Sequence, residues 1–142
     1  MQTKPTRPAA LVLVRANDRP HVDENAPVNT RIQDILGEPA KYEAAFAAFQ
    51  KAVAAHDAKA VGALVAYPFA ATVGGRQVKL PDAAAFVRHY DVIVTPAIAN
   101  VITRQRYEDL FVNADGVMFG RGEAWLNGKD ADVRVIAIQS SN

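Results

Sequence analysis

Apolar side chains recur at helical spacing in the first half of the chain. Tyr42, Phe46, Phe49 and Val53 follow one another at intervals of four, three and four, which makes one stripe on an α-helix. Alanines occupy much of the remainder and favour the same state. Pro39 suits the first helical turn. Asp57 is placed to cap a second, short helix carrying Val61, Leu64 and Val65. Tyr67-Pro68 ends that helix, because a residue before proline leaves the α region. The stretch from Phe69 to Leu80 reads as two short strands around Gly74-Gly75. Pro81-Asp82 starts a further helix with Phe86, Val87 and Tyr90 on one side. Thr95-Pro96 opens another, bearing Ile98, Val101 and Ile102.

From Tyr107 onward the pattern becomes β, with strands expected at Tyr107–Val112, Val117–Leu126 and Val133–Gln139. Helices followed by antiparallel strands, without alternating βαβ units, predict an α+β fold with the long helix across the sheet. Two hairpin registers compete. A turn at Asp115-Gly116 sets Glu108 against Glu123 and Leu110 against Arg121. A tip centred on Ala114-Asp115 sets Val112 against Val117, Leu110 against Phe119, Glu108 against Arg121 and Arg106 against Glu123. The second register is preferred, since opposite charges across a pair contribute about 0.2–1 kcal/mol and like charges oppose pairing.

Alternation along an unbroken strand then assigns the faces. Val117, Phe119, Arg121, Glu123 and Trp125 share one; Met118, Gly120, Gly122, Ala124 and Leu126 share the other, with Tyr107, Asp109 and Phe111 from the neighbouring strand. Two glycines in a strand suggest a bend or a close approach. The small-residue side is therefore expected to be concave and to lie beneath the Tyr42–Val53 helix. Arg121 and Glu123 read as a lateral ion pair on the outer side.

Residues 16–30 are polar, hold two prolines and read as a loop, so residues 1–33 are taken as a flexible N-terminal arm and 34–142 as a single domain. His21, Asp23 and Glu24 lie close in sequence, but a metal site needs a rigid frame, and no metal is expected. The apolar run from Ala9 to Val14 is shorter than an ordinary signal-peptide core. A cytoplasmic location is the reading, with export as the alternative. No run reaches the roughly 18 apolar residues of a membrane helix. A net charge of +1 from 16 basic and 15 acidic residues, without a basic stripe, argues against nucleic acid. The absence of cysteine excludes thiol catalysis and cysteine-bound zinc.

The helix pair, with "AAHDAKAVGALVAYPF", and the strands "YEDLFVNADGVMFGRGEAWLN" resemble the nuclear transport factor 2-like superfamily, the cystatin-like α+β cones that include ketosteroid isomerases and scytalone dehydratase. The likeness covers residues 38 to 139. The run Leu110, Phe111, Asn113, Gly116, Val117, Met118, Gly120, Gly122, Glu123 and Trp125 is similar to one in a group of small bacterial proteins without assigned activity. The resemblance implies a curved antiparallel sheet wrapped around a long N-terminal helix. It also implies a pocket between sheet and helices, and a homodimer through the outer sheet face. Phe119, Arg121, Glu123 and Trp125 would form that interface, with the aromatics as anchors.

Three functions follow. The first is noncatalytic: a small apolar ligand, bound without cofactor among Phe46, Phe49, Tyr67, Phe69, Tyr90 and Met118, or scaffolding as a homodimer. The same aromatics can equally fill the core. The second is an isomerase- or dehydratase-like enzyme in which Asp109 takes a proton and Tyr107 donates a hydrogen bond. An edge carboxylate bonded to backbone is the plainer reading of Asp109, and no isomerase motif carries over. The third is a protein-interaction module using the outer sheet face. His56 and His89 read as helix-end residues, and the serines, Ser140 and Ser141, complete no triad.

Overall fold

A computed structural model of the chain describes residues 24–128 and 132–140. The elements run α1 (Ala26–Ile35), α2 (Pro39–Ala54), α3 (Ala58–Ala63), β1 (Phe69–Val73), β2 (Arg76–Leu80), α4 (Ala83–Arg88), α5 (Tyr90–Ile93), α6 (Pro96–Arg104), a 3₁₀ turn (Tyr107–Asp109), β3 (Phe111–Asn113), β4 (Gly116–Phe119), β5 (Ala124–Asn127) and β6 (Arg134–Ile138). This is an α+β fold with two antiparallel sheets. One pairs β1 with β2, and the other has four strands in the order β3-β4-β5-β6. Isolated parallel bridges, Val65 to Val135 and Thr72 to Gln139, bring the α3–β1 segment and the β1 strand alongside β6.

The helix starts follow from side chains that accept orphan backbone N–H groups. Asp57 accepts from Ala60 N at 3.1 Å, Asp82 from Ala85 N at 2.9 Å and Thr95 from Ile98 N at 3.3 Å. Pro39 and Pro96 occupy first turns, where no N–H partner is lost. The Gly74-Gly75 hairpin forms as expected, with Val73 opposite Arg76. Both glycines have positive φ.

The strand expected over Val117–Leu126 is two strands. Gly120 (φ +57°) and Gly122 (φ +111°) turn the chain between β4 and β5. The Glu123 carboxylate folds back to accept from Arg121 N at 2.7 Å. A turn resets the alternation, so parity read through it inverts the faces. Val117 pairs with Leu126 and Phe119 with Ala124, and all four side chains are buried. Phe119 is wholly buried, with its ring stacked on Phe46 at 5.2 Å and edge-on to Phe49 at 5.4 Å. Helix α2 therefore packs on the Val117/Phe119 side, not on the expected Met118/Gly122 side.

Two further expectations are corrected. The preferred hairpin tip is observed, with Val112 opposite Val117 and Phe111 opposite Met118. The ladder stops there, because residues 107–109 form a 3₁₀ turn instead of a strand. Glu108 and Arg121 are thus not paired across strands, nor are Arg106 and Glu123. Arg106 instead bonds Glu108 and lies 3.8 Å from Asp109.

The boundary at 33/34 falls inside α1, whose Val28 and Ile32 are fully buried. Tyr107 donates to Asn29 Oδ1 at 2.6 Å and Arg31 to the Leu110 carbonyl at 3.3 Å, fastening α1 to the sheet edge. An i, i+4 apolar pair inside a polar stretch is enough to bury a helix when a groove awaits it.

Burial, and less strongly the Glu43 carboxylate, pushes the Tyr107 phenol up to about 12. A raised phenol keeps its proton longer in the folded state. Its stabilisation is complete below pH 10, the ordinary value, and is lost as pH rises through 12. Urea titrations at pH 8 to 11 should show stability falling above pH 10. Tyr107→Phe should shallow that fall and cost about 1 kcal/mol at neutral pH, the worth of its hydrogen bond.

Candidate functional site

The inner aromatics form a packed core. Phe46, Phe49, Phe69 and Tyr90 are all buried. Phe46 meets Tyr107 edge-on at 5.2 Å, and Phe86 meets Phe69 at 6.1 Å and Tyr90 at 5.9 Å. These contacts occupy the space in which a ligand was expected. Met118 is not with them: it lies on the other side of the sheet, beside Trp125. Burial, then Asp91 and Asp57, raises the Tyr90 phenol above its ordinary value. Its hydroxyl is buried without a hydrogen-bond partner among the described residues.

Asp109 and Tyr107 do not share a wall. Tyr107 is buried and its hydroxyl is engaged by Asn29. The Asp109 side chain is 66% exposed beside Arg106. His21 and Asp23 lie outside the described residues. Among those described, no three His, Asp or Glu side chains stand close enough to share a metal ion, and no helix is long and apolar enough to cross a membrane.

The expected interface residues also separate. Phe119 is in the core, and Glu123 caps its own turn. Arg121 is exposed, while Trp125 is half-buried on the outer face. The turn itself is anchored from two sides. Gly120 N donates to Gln105 Oε1 at 2.8 Å, and Gln139 donates its side-chain amide to the Gly122 carbonyl at 2.8 Å. Gln50 of α2 donates to the carbonyls of Ile102 and Gln105, so helix, α6 end and turn form one hydrogen-bonded chain.

The outer face holds the unexpected feature. Register sets Phe111, Met118, Trp125 and Ala137 opposite one another across β3, β4, β5 and β6. They form one apolar row over four strands. A bulge in β6 extends it: Trp125 faces Ala137 and Leu126 faces Val135, which leaves Ile136 unpaired. Ile136 is 39% exposed and Phe111 52%. The site a Cβ would take on Gly122 is 3.6 Å from Trp125 Nε1 and 3.8 Å from Met118 Sδ, so both side chains lean over the glycine turn.

A second, polar row runs beside it: Asn113, Gly116, Asn127 and Arg134. The Gly116–Asn127 step follows from the adjacent Val117–Leu126 pair. Asn127 is buried and donates to the Asp115 carbonyl at 2.8 Å. Arg134 donates to the Ala63 carbonyl at 2.9 Å and lies 3.6 Å from Asp132. Where these rows meet the α3–β1 segment, a cleft of about 900 Å³ opens between Trp125, Ile136, Ala137 and Arg134 on one side and Ala66 and Tyr67 on the other. The Tyr67 hydroxyl donates to the Gly62 carbonyl at 2.7 Å, and burial, then Asp82, raises its pKa.

Phe111 was legible as a neighbour of Met118 on one face, but Ile136 was not: a bulge leaves no mark in the alternating "RVIAI". Comparison with known proteins returned no match to any protein-family model, curated protein or solved structure.

The glycine turn is the site's frame. A Cβ on Gly120 would fall 2.5 Å from Val101 Cγ1 and 2.6 Å from Glu123 Oε1, at a φ that L-residues disfavour. Gly120→Ala should therefore lower unfolding free energy by about 1–2 kcal/mol or more, read from the urea midpoint. Asp109→Asn should leave that midpoint unchanged within about 0.5 kcal/mol, as for other exposed sites.

Proposed function

We propose that the protein is a noncatalytic scaffold of the nuclear transport factor 2-like type that works as a homodimer through the outer face of its four-stranded sheet. The observation that carries this reading is the apolar row from Phe111 to Ala137 on the side of the sheet away from α2. Large contiguous apolar patches on a surface often mark interaction sites. Aromatic and methionine side chains are also the ones enriched at interface centres. The packed inner core supports scaffolding over an enclosed ligand, and the separation of exposed Asp109 from buried Tyr107 weighs against the isomerase-like alternative.

Light scattering after size exclusion should give twice the 15.3 kDa of one chain. Phe111→Asp or Ile136→Asp should return a single-chain mass with the fold otherwise intact by circular dichroism. A parent chain that stays monomeric at 100 µM would overturn the proposal.

One observation favours a second reading. The cleft of about 900 Å³ beside Trp125 and Tyr67 has the size of a small-molecule site, so a small apolar ligand would lie there and not among the inner aromatics. Trp125 is the one tryptophan of the chain and reports directly on this cleft. On the monomeric Phe111→Asp variant, a saturable change in its emission on adding an apolar naphthalene probe is expected. A linear, unsaturable response removes the ligand reading.

A further inference from the structure

We infer that the cleft beside Trp125 takes an amphipathic amine, with its ammonium held at the Asp115 tip and its apolar body along Trp125, Ile136 and Ala137. The inference rests on the reading of this cleft as a small-molecule site, and it specifies the charge of what enters.

The cleft wall changes character along its length. Trp125 and Ala137 stand opposite each other on β5 and β6, with Ile136 beside them at the bulge, and Tyr67 closes this apolar part from the other side. Two residues further along β5, on the same face and about 7 Å away, Asn127 begins the polar part. It adjoins the hairpin tip, since its amide nitrogen donates to the Asp115 carbonyl at 2.8 Å.

That polar end offers acceptors. Asn127 is only 8% exposed, and its Oδ1 accepts no hydrogen bond. Among the described residues Tyr90 Oη is the one wholly enclosed side-chain polar atom without a partner, so Asn127 Oδ1 is still reached by solvent. The residue lines the cleft, and its free oxygen opens there. The Asp115 carboxylate, on the same wall, has no hydrogen-bond donor or cation against it.

The charges agree. The charged residues lining the cleft are Asp115, Asp132 and Arg134. Arg134 is held by the Ala63 carbonyl at 2.9 Å and by Asp132 at 3.6 Å, which leaves Asp115 uncompensated. Asp82, near enough to help raise the Tyr67 phenol, adds negative charge at the opposite wall. A cleft dominated by one sign of charge concentrates ions of the other. The half-buried Trp125 indole presents a ring face that attracts a cation. A carboxylate ligand would meet Asp115 with like charge. A wholly apolar one would cover the Asn127 oxygen and leave it unpaired. A primary ammonium brings three donors to these acceptors.

Trp125 is the one tryptophan, so its emission reads occupancy of the cleft. The full chain is titrated at neutral pH and fixed ionic strength with hexylammonium, hexan-1-ol and hexanoate, none of which absorbs where tryptophan is excited. Hexylammonium should saturate at a concentration about fivefold or more below hexan-1-ol, with hexanoate the weakest. Asp115→Asn, at an exposed tip, should bring hexylammonium to within about twofold of hexan-1-ol and leave the alcohol unchanged. Asp109→Asn, outside the cleft, should alter neither. Equal saturation by amine and alcohol, or a preference for hexanoate, would overturn the inference and leave the cleft a small-molecule site. So would an amine preference that survives Asp115→Asn. A linear, unsaturable response to all three compounds would overturn the inference and the ligand reading together.

Discussion

The structure turns on the ring of Phe119. It is held between Phe46 and Phe49 of α2, stacked on one and edge-on to the other, at centroid distances near 5 Å. This arrangement adds about 0.5–1.5 kcal/mol per pair to the burial of the rings themselves. Its structural consequence is larger than its energy. It decides which side of the four-stranded sheet is inside. Once Phe119 points to α2, Val117, Ala124 and Leu126 follow by pairing, and Met118 and Trp125 must face outward. The core and the exposed apolar row are two results of one choice.

The turn at 120–123 keeps that choice consistent across two strands. Glycine at positions 120 and 122 supplies the positive φ angles, and Glu123 satisfies a turn amide that would otherwise lack a partner. Gln105 and Gln139 hold the turn from the α6 end and from the β6 end. Because Gln50 of α2 bonds the carbonyl of the same Gln105, the helix that packs on Phe119 is also tied to the loop that orients it. Side-chain amides suit this role, since each offers both a donor and an acceptor to backbone groups that have left regular structure.

The inner side of the sheet is packed, and the outer side carries the exposed apolar row. The inner aromatic side chains pack against one another, and the buried tyrosine hydroxyls of Tyr42 and Tyr107 are tied to Gly128 and Asn29. Charged groups near the sheet edge pair locally, as Arg106 does with Glu108. The outer face carries an apolar row with the exposed Phe111 ring on β3, and a cleft that runs from the Ala114-Asp115 tip to Ile136 and Ala137 of β6.

Much of the architecture was legible in the chain itself, for local reasons. The Tyr42–Val53 stripe, the caps at Asp57, Asp82 and Thr95, the Gly74-Gly75 hairpin and the tip at Ala114-Asp115 depend on residues a few positions apart, and periodicity and capping chemistry act at that range. The α+β order followed from them. Helix α1 was hidden because its two buried positions sit in a polar, proline-containing segment, and only contact with Tyr107 and Leu110, far along the chain, gives them a place. The faces of the sheet were beyond local reading for a sharper reason. A period of two carries no memory across a turn, and glycines in "GRGEA" are compatible with a bent strand or with a loop. Tertiary packing of Phe119 against α2 made it a loop, and in doing so turned the expected inner side of the sheet outward.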